Sequence, residues 1–244
     1  MIFPRFIDDA LKRLLESKGY FRLKGKNGFE LERRRKLLAS LEIDLLLDVG
    51  ANIGQYAREM RGLGYRGPIV SFEPMRAALE VLESIASEDG NWRVMPVGLS
   101  DAPGTAELNV ARNSISSSIL DMESLHAQIA PASEYVSTES IRITTLDEAM
   151  SQLSMDASRL WLKIDVQGLE DRVLRGATTT LQRVACIQLE LSLATLYTGQ
   201  TTYLPMLTRL SELGFELAGV EAGFLDVDSG RLLQMDGLLV RRHT

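Results

Sequence analysis

Leu45-Leu46-Leu47-Asp48-Val49-Gly50-Ala51-Asn52-Ile53-Gly54 has the pattern of a buried strand running into a glycine turn. It is an apolar run, broken only by Asp48, that ends in a turn made of Gly50, Asn52 and Gly54. A run without polar alternation marks a strand buried on both faces of a parallel sheet. Glycine at its end permits a tight strand-to-helix turn and a close backbone approach. Tyr56, Met60 and Leu63 follow at helical spacing, with stops near Gly64 and Gly67.

Outward from this unit the pattern repeats. Ile69-Val70-Ser71-Phe72 reads as a second strand, followed by a helix from about Met75 to Ser87. Trp92-Arg93-Val94-Met95-Pro96-Val97 reads as a third, with Pro96 late in the strand or at its end because proline cannot donate to the ladder. Leu160-Trp161-Leu162-Lys163-Ile164 is the fourth, leading to a helix through Val173 and Leu174. Ala185-Cys186-Ile187-Gln188-Leu189 is the fifth. Strands alternating with helices imply right-handed crossovers and a parallel sheet. Near the end, Phe215 to Val220 and Leu238 to Val240 read as two strands with no full helix between them and a turn at Asp228-Ser229-Gly230. The expected fold is α/β, Rossmann-like, with a mostly parallel seven-stranded sheet and an antiparallel last strand.

Two segments flank or interrupt this frame. Residues 1–41 read as an N-terminal helical extension and residues 42–244 as the main domain, with an insertion at about 101–158 between strands three and four. The extension carries Phe3, Phe6, Ile7, Ala10, Leu11, Leu14 and Leu15 at helical spacing. Such an amphipathic helix packs on its own domain or on a partner subunit, so it is the candidate surface for a homo-oligomer; a peripheral membrane role is the sharper alternative. Arg33-Arg34-Arg35-Lys36 precedes a helix-like segment and reads as a solvated face or an anion contact. The insertion has runs that read as extra strands at Thr105 to Val110 and Ile141 to Thr145 and a serine- and alanine-rich middle, the profile of a lid or substrate loop.

Composition narrows the class. The chain has 244 residues, 45% hydrophobic and 25% charged, and a net charge of −6, which argues against a nucleic-acid duplex as substrate. The single cysteine, Cys186, sits in an apolar run and excludes an internal disulfide, as expected of a cytoplasmic protein. Arg5, Asp8 and Asp9 interrupt the first apolar residues, so no signal peptide is expected, and no apolar run approaches the ~20 residues of a membrane span.

In open α/β sheets, ligands bind beyond the carboxyl ends of the strands. Asp48, Glu73, Asp101, Asp165 and Glu190 fall at or near those ends, where a core strand has no need of a carboxylate. Asn52 stands where a dinucleotide fingerprint has its second glycine, which counts against a nicotinamide cofactor; Asn52 is a ligand contact or simply a turn residue. Glu73 lies at the spacing of an acid that accepts bonds from ribose hydroxyls, about 20 residues past the turn. Turn and acid together indicate an adenosine-containing cofactor without selecting one.

The selection comes from a resemblance. Asp48 to Tyr56, Ser71-Phe72-Glu73-Pro74 and Leu162-Lys163-Ile164-Asp165-Val166-Gln167-Gly168-Leu169-Glu170 together resemble the FkbM family of methyltransferases. Val173-Leu174-Arg175-Gly176-Ala177 and Gln188-Leu189-Glu190 extend the match, which runs from about Leu45 to Val240. The resemblance implies a class I methyltransferase fold, S-adenosylmethionine as cofactor, and O-methylation of a small-molecule or glycosylated hydroxyl acceptor: a sugar, glycolipid or natural product. It places Asp48, Gly50, Asn52 and Gly54 at the methionine end of the cofactor, Glu73 at the ribose, Leu99, Ser100 and Asp101 near adenine, and Asp165 beside the transferring methyl or the cofactor's amino group. Asp101 alternatively caps the following turn.

A neutral hydroxyl is a poor nucleophile, so a positioned base is expected. Asp165, Glu190 and His126 are the candidates, Asp165 and Glu190 at exposed strand ends and His126 in the insertion loop; His243 is less suited. Asp165 and Glu190 instead form a thin ligand set for a divalent metal. Ser116, Ser117 and Ser118, with Ser114, are candidate substrate or cofactor contacts, or a flexible loop. Lys163 either faces a helix or reaches the cleft rim, with pairing to a carboxylate implied by the resemblance. The competing functions are an NAD(P)-type nucleotide-dependent enzyme and a non-catalytic partner that keeps the cofactor fold.

Overall fold

The computed structural model describes residues 28–242. The amphipathic segment at residues 3–15 and His243 lie outside the described residues. Gly28–Ser40 forms helix α1 in a compact unit of its own, and residues from Leu41 onward form a second. The basic run Arg33–Lys36 lies inside α1 rather than before it. Arg33 stacks over the Phe29 ring at 4.8 Å and Arg35 pairs with Glu32 at 2.6 Å, one turn away.

The second unit is built on β1 (Leu45–Val49), α2 (Gln55–Gly62), β2 (Ile69–Phe72), α3 (Arg76–Ser87), β3 (Trp92–Met95), β7 (Leu160–Ile164), α6 (Glu170–Arg175), β8 (Val184–Ser192), α7 (Tyr203–Glu212), β9 (Phe215–Ala222) and β10 (Gln234–Arg241). Inserted between β3 and β7 are β4 (Gly98–Leu99), β5 (Gly104–Ala111), α4 (Ser124–Ile129), β6 (Tyr135–Thr144) and α5 (Leu146–Leu153). The main sheet has seven strands in the order β3-β2-β1-β7-β8-β10-β9. Its first five are parallel; β10 runs antiparallel to both β8 and β9. The order reverses between β1 and β7, which opens the ligand crevice at their carboxyl ends.

Every residue of β1, β2 and β7 is buried, which explains why these strands show as unbroken apolar runs. Leu45, Leu47, Val49, Leu162 and Ile164 pack on Leu146, Ala149, Val173, Leu174 and Leu210 from α5, α6 and α7.

The third strand stops at Met95, so Pro96 falls at its end as expected; the chain then crosses to β4 in a separate three-stranded sheet, β4-β6-β5. Two expectations need correction. The fifth strand continues past Leu189 to Ser192, because β10 pairs with it from Cys186 to Ser192 and carries its polar end. Glu190 therefore lies within a strand, not beyond its end. Among the described residues, no helix is long and apolar enough to cross a membrane.

Candidate active site

The first turn is held by backbone. Gly50 has φ 74° and Gly54 φ 81°. A Cβ on Gly50 would fall 1.8 Å from the Asp165 carbonyl oxygen, and one on Gly54 2.9 Å from the Leu82 and Trp92 side chains. Glycine is required at both by conformation and by space. Asn52, with φ 47°, is a left-handed turn residue, which asparagine tolerates. Its N–H donates to Glu73 Oε2 at 2.8 Å, and its side-chain amide donates to Ser114 Oγ at 3.3 Å. Glu73 Oε1 accepts the Met75 N–H at 2.8 Å. Burial pushes the Glu73 carboxyl up to about 7, against these two backbone bonds.

One face of the sheet carries a polar row directly below the turn. Ser71, Asp48, Lys163 and Gln188 are successive neighbours across β2, β1, β7 and β8. Lys163 Nζ lies 3.3 Å from Asp48 Oδ1 and 3.5 Å from Asp165 Oδ2, and donates to the Gly50 carbonyl at 3.0 Å. Tyr56 on α2 covers the row: its hydroxyl donates to Gln188 at 2.7 Å and accepts from the Trp161 indole at 2.8 Å. Burial works to lower the Lys163 pKa, but Asp48 and then Asp165 outweigh it and the ammonium is held charged. Burial raises the Asp48 pKa against Lys163. Lys163 thus faces a helix and pairs with carboxylates. Asp48 is fully enclosed, so its side chain meets the cleft only through Lys163.

Beyond β7 the chain turns at Gln167 (φ 52°) and Gly168 (φ 98°). The buried Glu170 carboxylate braces this turn by accepting the Val166 and Gly168 N–H groups at 3.0 and 3.3 Å. Burial raises Glu170 to about 7. The Asp165 side chain is 42% exposed against 0% for Asp48, so Asp165 is the carboxylate of this pair that a ligand can reach. Gln167 Nε2 donates to Asp165 Oδ1 at 2.8 Å and reaches Glu190 Oε2 at 3.4 Å. Glu190 Oε2 also accepts from Gln234 at 2.6 Å. Burial first, then Asp165, Glu170 and Asp236, raises the Glu190 pKa well above the usual range.

The remaining expected residues are placed as follows. His126 is not in an open loop: it sits in α4, 4% exposed, edge-on to Tyr197 at 5.2 Å and beside Phe224 at 5.3 Å, and burial lowers its pKa. The apolar cluster of Tyr197, Leu196 and Leu233 draws it inward. The serine loop is an ordered tie. Ser116 Oγ bonds Ser133 Oγ, Ser117 Oγ accepts the Ala111 N–H and donates to the Ser114 carbonyl, and Ser118 Oγ donates to the Gln167 carbonyl at 2.7 Å. Leu99 is packed in the main core, and the Ser100 N–H is spent on the Thr144 carbonyl. Asp101 is at the small sheet, 3.7 Å from Arg175 on α6. The structure brings together Gly50, Asn52, Gly54, Glu73, Asp165 and Glu190 with the serine loop; it does not bring His126 to the same opening. Tyr197 and Gln234 carry no signal in the sequence, Tyr56 shows there as a helix residue, and Gln167 only as a member of the Asp165–Glu170 block. Among the described residues, no group of three or more His, Cys, Asp or Glu is placed to hold a metal ion.

The family model for the methyltransferase FkbM domain matches residues 48–217, which contain the first turn, Glu73, Asp165 and Glu190. The chain belongs to the FkbM methyltransferase family. It is similar to the 2-O-methyltransferase NoeI of Sinorhizobium fredii, 30% identical over 211 residues, covering 80% of this chain and 84% of that one. Among solved structures it is similar to magnesium protoporphyrin IX methyltransferase (ChlM) from Synechocystis PCC 6803, with a TM-score of 0.48 and 11% identity over 99% of this chain and 86% of that one. An rRNA methylase from Streptococcus thermophilus is similar with a TM-score of 0.46 and 9% identity, over 91% of this chain and 99% of that one. This FkbM chain is a methyltransferase with the class I sheet, and neither the nicotinamide-dependent nor the non-catalytic reading is favoured.

Proposed function

We propose that this FkbM methyltransferase uses S-adenosylmethionine to O-methylate a hydroxyl of a sugar, glycolipid or natural-product acceptor. The observation that carries this reading is the contact of Gly50 with the Asp165 carbonyl, so close that a Cβ would fall 1.8 Å from it. The turn that receives the cofactor and the carboxylate that meets the acceptor are therefore one backbone junction. The residues present fit the cofactor. Glu73, beside the turn, offers carboxylate lone pairs to the ribose hydroxyls. Gly54 caps α2 with no side-chain bond, which leaves first-turn N–H groups for a carboxylate.

When bound, the cofactor supplies an activated methyl group on a sulfonium. The chain's own task is alignment and proton management. Gln167 holds the Asp165 carboxylate at the cleft against the inward pull of Lys163, and there the carboxylate accepts the proton of the attacking hydroxyl. Glu190, whose pKa is raised by burial and by its acidic neighbours, accepts from Gln234 and Gln167 and serves as a hydrogen-bonding wall beside Asp165. The enclosed His126 acts through Tyr197 packing. Similarity to an enzyme named as a 2-O-methyltransferase supports oxygen as the accepting atom. The chain is read as cytoplasmic, with the acceptor as its small-molecule partner.

Two measurements test this. S-adenosylmethionine or S-adenosylhomocysteine should raise the Tm while NAD leaves it unchanged; no response to either sulfur-containing ligand removes the cofactor assignment. Labelled methyl should pass from S-adenosylmethionine into glycan, lipid or metabolite fractions of the source cell, with mass spectrometry locating it on oxygen. Label found only on nitrogen or carbon refutes O-methylation.

A further inference from the structure

Gln167 occupies a backbone position that favours glycine. Its φ is 52°, and Gly168 follows at 98°. A long side chain at such a position carries a conformational cost, and here its amide and its main-chain carbonyl are engaged by Asp165, Glu190, Tyr197 and Ser118. Nε2 donates to Asp165 Oδ1 at 2.8 Å and approaches Glu190 Oε2 at 3.4 Å. Oε1 accepts the Tyr197 hydroxyl at 2.7 Å. The main-chain carbonyl accepts Ser118 Oγ at 2.7 Å. The amide can face only one way, because the two carboxylates call for N–H donors and the Tyr197 hydroxyl for an acceptor.

We propose that Gln167 is the positioning residue of the methyl-transfer site: its amide fixes the rotamer of Asp165 toward the acceptor hydroxyl and spaces Glu190 away from it. This rests on Asp165 being the proton acceptor proposed above. Without the amide, Lys163 is the remaining polar partner of Asp165, at 3.5 Å from Oδ2, and it binds from within the sheet. The carboxylate is then free to turn inward onto the ammonium. Tyr197 secures the amide. Its hydroxyl also lies 3.2 Å from the Ser116 carbonyl, and its ring is held edge-on by His126. The inserted segment and the loop after β8 thereby converge on Asp165 through one side chain.

The decisive variant is Gln167→Gly, because glycine suits the left-handed backbone while the side chain that carries the amide is removed. The assay is labelled methyl transfer from S-adenosylmethionine into the source-cell fraction that accepts it from the wild-type enzyme. Gln167→Gly should match or exceed the wild-type Tm and keep the KM for S-adenosylmethionine, while its maximal rate falls roughly 10–100-fold, the scale of a displaced catalytic group. Tyr197→Phe should lower the rate in the same direction and less. If Gln167→Gly folds poorly, Gln167→Asn keeps the turn, since asparagine accepts positive φ, and still withdraws the amide by one methylene. A rate near wild type in the folded variant, or a loss carried by KM for S-adenosylmethionine instead of rate, overturns the proposal. Asp165→Asn run beside them separates the two readings. If it retains turnover, the base assignment has failed; if it loses turnover while Gln167→Gly does not, only the positioning role has failed.

Discussion

Around Gly50 and Glu73 the site is held chiefly by close backbone approach and by backbone N–H groups bonded to the Glu73 carboxyl, whereas around Asp165 and Glu190 it is held by side chains drawn from β8, β10, the turn after β7 and the inserted segment. The first region binds through geometry that glycine and one carboxylate create locally. The second depends on Lys163, Gln167, Gln234 and Tyr197 meeting across the fold. A cofactor common to many enzymes is served by the local device, and an acceptor particular to one enzyme by the assembled one.

If the backbone-built half is as tightly specified as its contacts indicate, Gly50→Ala gives the largest effect. The new methyl must displace the Asp165 carbonyl from 1.8 Å and sit at φ 74°, so a loss of more than about 4 kcal/mol, or no folded protein, is expected in denaturant titration. A small change there would mean that the two halves are not in rigid contact.

Lys163→Met comes next. It leaves the Asp48 carboxylate, 0% exposed, without its counter-charge, which costs about 3–5 kcal/mol. Pairing it with Asp48→Leu should restore most of that stability, since replacing both members removes the buried charge. If the double variant is as unstable as the single, the row beneath the turn serves something other than charge compensation.

Glu73→Gln has the smallest effect on stability, and it is distinguished by its pH dependence. The folded-state pKa of Glu73 is raised from 4.5 to about 7, so the folded protein retains a proton that the unfolded chain gives up. The stability this contributes is present below about pH 4.5 and is lost as pH rises through about 7. The Tm of Glu73→Gln relative to wild type should therefore climb across that window, by calorimetry of the ligand-free proteins, even as affinity for S-adenosylmethionine drops. A pH-independent difference would show that Glu73 is ionised throughout.

The same contrast explains what was legible in the sequence. β1, β2 and β7 were read correctly because strands buried on both faces leave apolar runs, and the turn because glycine and asparagine mark positive φ. Asp48 reads as a cleft residue in the sequence, since nothing local reveals its full burial beside Lys163, more than a hundred residues later. Glu190 was read as lying past a strand end because the apolar run stops at Leu189, while the pairing that continues β8 belongs to β10. His126 resembled a loop histidine because its burial comes from Tyr197 and Phe224. Gln167 shows no periodicity at all, and its role exists only where four segments meet.

The most direct test is Asp165→Asn assayed twice on one preparation. Calorimetry should show S-adenosylhomocysteine binding close to wild type, because Gly50, Gly54 and Glu73 are untouched. Labelled methyl transfer at saturating S-adenosylmethionine should fall by about 10²-fold or more, the share of a general base. Turnover near wild type with binding intact would contradict Asp165 as the proton acceptor.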